Sequence, residues 1–116
     1  MTQEQIEMTR VIAEYDGWVK REYQPVHGRE LHENDHSTQW LDSFNYLTDL
    51  NMLHPIAMKV MDGLRQRFCY VGTQEYVLIH RVEMACHVKP NNGQYIDLFT
   101  AVFNGIVFLN EQNVKP

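Results

Sequence analysis

A chain of 116 residues, 44% apolar and 22% charged, fits one ordinary domain over residues 1–116. Such a chain can bury about two-thirds of the surface its unfolded form exposes, so no staple is required. A formal net charge of -5 argues against nonspecific nucleic-acid binding, which needs a positive surface to displace counterions.

In chain order, the first predicted element is a helix opening at Thr2. Thr2 and Gln5 have capping-box spacing, and Met8, Val11, Ile12 and Tyr15 recur on one face. Gly17 fits its end, with Trp18 folding back over it. Trp18 to Tyr23 alternates weakly and reads as a short strand. Gln24 to Gln39 is polar, carries Pro25, Gly28, Asn34 and Asp35, and reads as a loop or insertion. Loops of that length are uncommon in compact domains and are often functional.

Apolar character returns from Trp40 to Leu47. Thr48 or Asp49 is placed to cap a second helix, in which Leu53, Ile56, Ala57, Val60, Met61 and Leu64 share a face. Pro55 lies within this pattern and is expected to kink the helix or to mark its true start. Phe68 to Val71 is a short strand candidate. Glu75 to His80 and Val82 to Val88 alternate and predict two better strands, as a hairpin or one bent strand. Lys89 to Gly93 is a turn signal, and Asp97 is expected to cap a final helix. From Tyr95 to Leu109 that helix is apolar on most of its surface, with a stripe of Phe99, Val102, Phe103, Ile106 and Leu109. A helix this apolar must be largely buried, here under the predicted strands. The order implies an α+β domain: a small antiparallel sheet packed with about three helices in a sandwich.

Three segments carry a family resemblance: Val11-Ile-Ala-Glu-Tyr-Asp-Gly-Trp18, Tyr46-Leu-Thr-Asp-Leu-Asn-Met-Leu-His-Pro-Ile-Ala-Met-Lys-Val60, and Ala101-Val-Phe-Asn-Gly-Ile-Val-Phe-Leu-Asn110. Together they resemble the phage ABA sandwich domain of bacteriophages, prophages and gut bacterial genomes. Leu50 and Met52 stand where that family carries paired tryptophans. Asn104, Gly105 and Val107 replace its glutamate, aromatic and lysine on the last helix. The resemblance implies an α/β sandwich of phage-related origin and transfers no catalytic residue.

Six histidines invite a metal hypothesis. His27, His32 and His36 are interleaved with Glu30, Glu33 and Asp35, and His32-Glu-Asn-Asp-His36 satisfies H-E-x-x-H by letter. On a helix, that spacing would put His32 and His36 on one face to grip zinc, with Glu33 as general base of a hydrolase. Asn34 and Asp35 are poor helix-interior residues and no apolar stripe accompanies them, so a solvated loop is the simpler reading. His80 and His87 fall on strand patterns, and Cys86 beside His87 is no dyad if they point to opposite strand faces. Cys69 and Cys86 read as buried free thiols. Arg65 and Arg67, with Arg81, form the best basic patch, too small to suggest nucleic acid. Met52, Met58 and Met61 read as core filler. Trp18, Tyr23, Trp40, Phe44 and Tyr46 surround the polar insertion, either as a protein-contact cluster or as core.

No residue is therefore assigned a catalytic, cofactor-binding or metal role. The expectation is a non-enzymatic, cytoplasmic phage or prophage accessory protein, without signal peptide or membrane span, that binds a protein partner or a second copy of itself. Zinc-dependent hydrolysis through His32, Glu33 and His36 is the alternative.

Overall fold

In the computed structural model the residues described are 1–21, 29–67 and 73–112. The expected strand at 68–71, together with Tyr23, Pro25, His27, Gly28 and Cys69, lies outside them. The described elements are four helices and a three-stranded antiparallel sheet, an α+β fold as the sequence implied. The chain divides into two compact units, residues 1–44 and 45–116.

The first unit opens with α1 (Gln3–Tyr15). The Thr2 hydroxyl accepts from the Gln5 backbone N–H at 3.1 Å, and the Gln5 side chain accepts from the Thr2 N–H at 3.0 Å. This is the expected reciprocal cap. At the other end Gly17 takes φ +98°, as anticipated. Its N–H donates to the Glu14 carbonyl at 3.1 Å and that of Trp18 to Ala13 at 3.0 Å. These two bonds are a Schellman closure, which satisfies carbonyls the helix leaves free. The buried face centres on Thr9, Ile12 and Ala13, whereas Met8, Val11 and Tyr15 are half-buried.

The sheet order is β1 (Val19–Lys20), β2 (Leu31–Glu33), β3 (Thr38–Trp40). Val19 faces Glu33, and Leu31 faces Trp40. Residues expected to be loop therefore supply two strands. The turn between them is held by Asn34, whose Oδ1 accepts from the His36 and Ser37 N–H groups, both at 2.9 Å. Sequence reading treats such a segment as loop because a three-residue strand is too short to show alternation. A 3₁₀ turn, Leu41–Ser43, packs on α1. Phe44, 2% exposed, meets Trp18 edge-on at 4.9 Å and His32 at 6.2 Å.

The second unit contains α2 (Leu50–Arg67), α3 (Gln74–Ala85) and α4 (Ile96–Gln112), each packed against the other two. Asp49 opens α2, its carboxylate accepting from the Asn51 N–H at 2.9 Å. Pro55 does not mark the start. The helix begins five residues earlier and runs on through it, and Pro55, having no N–H, cannot donate to the Asn51 carbonyl. The six apolar residues expected on the inner face are all buried.

The strands expected at 75–80 and 82–88 fall instead on one helix, α3, as far as Ala85, and on the turn that follows it at 86–88. Thr73 caps it, its hydroxyl accepting from the Tyr76 N–H at 3.3 Å. Leu78, Ile79, Val82 and Ala85 form its buried stripe. The alternation that suggested strands was local, whereas the helical stripe spans the whole segment and has two helices to bury it. At 91–94, Asn92 (φ 54°) and Gly93 (φ 76°) form the expected tight turn. Asn91 and Gln94 bridge across it with bonds of 2.9 and 3.0 Å. Asp97 is not the cap of α4 but an acid in its first turn, favourable there to the helix dipole. The Tyr95 carbonyl accepts the first bond, from Phe99 at 2.9 Å. α4 is largely buried as its composition requires, yet its cover is α2 and α3, not strands.

Candidate functional site

The residues that raised a metal hypothesis end in the first unit, arranged differently from the arrangement that chemistry needs. His32 lies on β2 and not on a helix, so His32 and His36 do not share a helical face. His32 is fully buried, and its Nε2 donates to Glu30 Oε2 at 2.9 Å. Glu33, the next residue, points to the opposite sheet face and pairs with Arg21 at 3.0 Å. His36 is exposed in the turn beyond. Among the described residues no three histidines, cysteines or carboxylates are grouped to hold a metal. The segment is therefore not the helix that the H-E-x-x-H reading requires; His27 lies outside the described residues.

What β2 builds is an ion-pair network around Glu30. Arg10 grips its carboxylate with two bonds, Nε to Oε2 at 2.9 Å and Nη2 to Oε1 at 3.0 Å. Lys20 Nζ lies 3.5 Å away, and Arg10 also pairs with Glu7. The Arg10 bonds, reinforced by His32 and Lys20, hold the Glu30 carboxyl at about 2 despite partial desolvation. Among the described residues His32 Nδ1 has no hydrogen-bond partner, and the His32 ring stands edge-on to Phe44. Beside the network a depression of about 170 Å³ is lined by Gln3, Ile6, Arg10, Arg29, Glu30, Leu41 and Asp42. Arg29 makes a forked pair with Asp42, its Nη2 2.7 Å from Oδ1, and its guanidinium lies 4.7 Å from the Trp40 ring centroid. Among the described residues every charged side chain lining this depression is already paired, and these pairs hold the hairpin against α1.

Of the aromatic cluster, Phe44 and Tyr46 are buried in the core, and the half-buried Trp18 packs on Phe44. Arg65 pairs with Glu83 at 3.3 Å and with Asp62 at 3.6 Å, so its charge is compensated. Cys86 is a free thiol at the C-cap of α3. Burial, with Glu83 adding to it, pushes its pKa up, so it is a poor nucleophile. Met61 is core, Met52 half-buried and Met58 38% exposed.

The feature that sequence reading missed is the outer face of α3. Val77 is 40% exposed and Met84 58%, with Tyr76 at 39% and Val88, just past the helix, at 47%. The Tyr76 ring stacks on the His80 imidazole, the planes 4° apart. At about 100° per residue, Tyr76, Val77, His80, Arg81 and Met84 fall within an arc of about 140°. No carboxylate lies among them. The signal was available: Leu78, Ile79, Val82 and Ala85 occupy the complementary arc, so once that stripe is read as helical, the remaining apolar residues must face outward.

These two features define an α+β protein with a paired polar network in one unit and an uncovered apolar helix face in the other. No family model, curated protein or solved structure matches the chain. Among the described residues no helix is long and apolar enough to cross a membrane.

Proposed function

We propose that this chain is a non-enzymatic protein-binding domain, an accessory protein of the phage or prophage kind that its sequence resembles, acting in the cytoplasm. The observation that carries the reading is the outer face of α3. Four apolar or aromatic residues, Tyr76, Val77, Met84 and Val88, are each about two-fifths or more exposed on one short stretch. Scattered exposed apolar residues need no explanation, but grouped ones favour a contact surface. The network around Glu30 supports the same reading, because its polar groups are spent on each other. Affinity capture from host lysate with the full chain, beside a Met84→Glu variant, tests it. A protein retained by the parent and lost from the variant supports the reading. Identical retained sets from both chains would remove it.

A further inference from the structure

The α3 face also carries a charge pattern. Within its arc the charged residue is Arg81, and Lys89 follows just beyond Val88. Among the described residues neither makes an ion pair, whereas the nearby Glu83 is taken by Arg65. Val88, at the C-terminal end of the face, also lines a depression of about 180 Å³, together with Ala85, Lys89, Tyr95, Leu98 and neighbours. That volume suits one apolar side chain and is well below the size of an ordinary small-molecule site. Asp97 is the one carboxylate lining it, and the N-terminus of α4 partly offsets that charge.

We propose that this face receives an acidic amphipathic helix of a partner protein, its apolar residues lying along Val77, Met84 and Val88 with one anchor in the depression, and its carboxylates meeting Arg81 and Lys89. The inference rests on the protein-binding reading and adds the chemistry of the partner. Apolar contact supplies the affinity, and the two cations set the preference for acidic flanks. A second copy of this chain is a poor occupant. Two such faces meeting would set the Arg81 and Lys89 of one copy against the same cations of the other, with no carboxylate in the arc to receive them.

The test uses two labelled synthetic helical peptides of about five turns. One carries leucines on one face and glutamates elsewhere; the other has lysines in place of the glutamates. Binding to the full chain is read by fluorescence anisotropy. The glutamate peptide is expected to bind at least about tenfold more tightly than the lysine peptide. Arg81→Glu with Lys89→Glu should remove that preference, and Met84→Glu should abolish binding, each with an unchanged thermal melt. Equal or tighter binding of the lysine peptide would overturn the proposal, as would binding indifferent to these variants. So would a preference for anionic phosphatidylglycerol vesicles that the same variants abolish. If neither peptide binds while lysate capture still yields a partner lost on Met84→Glu, the acidic-helix inference falls and the protein-binding reading stands. A dimeric mass by light scattering that Met84→Glu returns to monomer would instead make this a self-association face and overturn the proposal.

Discussion

Gly105 on α4 faces Val60 on α2 so closely that a Cβ at Gly105 would lie 2.6 Å from Val60 Cγ1. Both residues are buried, and the two helices pack directly on one another. The absence of a side chain at 105 sets how near α4 lies to α2.

Gly105→Ala is therefore expected to destabilise the protein by about 1–3 kcal/mol in urea unfolding, because Val60 is β-branched and buried and cannot turn aside. Gly105→Ala combined with Val60→Ala should recover part of that loss beyond additivity. Full additivity would show that the close approach is not the cause.

Glu30 links stability to acid. Its carboxyl ordinarily titrates near 4.5 and is held at about 2 in the folded chain. Between those values the unfolded chain binds the proton and the folded chain does not, so stability falls as pH drops through this window. Above it the contribution is complete, on the order of 3 kcal/mol at most. Stability measured from pH 6 down to 2 should decline less steeply in Glu30→Gln than in the parent. Parallel curves would refute the assignment.

Thr73→Ala removes the oxygen that accepts from the Tyr76 N–H. Loss of this cap should cost about 1 kcal/mol, with early hydrogen exchange in the first turn of α3. Thr73→Ser should retain most of the stability.

Met84→Glu changes a residue that is 58% exposed. Its effect on urea stability should stay within about 0.5 kcal/mol. A larger loss would mean that Met84 is packed, and the outer face of α3 would then be no free surface.

Cys86 should react slowly with a disulfide reagent at neutral pH, since burial and Glu83 disfavour its thiolate. The rate should keep rising above the pH at which a free thiol levels off. Rapid labelling at neutral pH would contradict this.

Local chemistry was legible where a few neighbouring residues decide it. The reciprocal cap of Thr2 and Gln5, the left-handed Gly17, the Asn92-Gly93 turn and the inner face of α2 all follow from short-range hydrogen bonding, backbone sterics or period. The segment from Tyr76 to Val88 was misread because β-branched and apolar residues satisfied both a period of two and a helical stripe. The histidine motif was discounted on Asn34 and Asp35, and the segment indeed forms no helix; that Leu31–Glu33 is a strand was not legible.

The amino-acid order alone determined the ends of α1 and the need to bury α4, because these depend on contacts between near neighbours or on composition. Tertiary packing decided that residues 74–85 are a helix, that helices and not strands cover α4, and that Tyr76, Val77 and Met84 are left outside. Those outcomes turn on which apolar stripe finds a partner, a free-energy difference between distant parts of the chain that no local pattern contains.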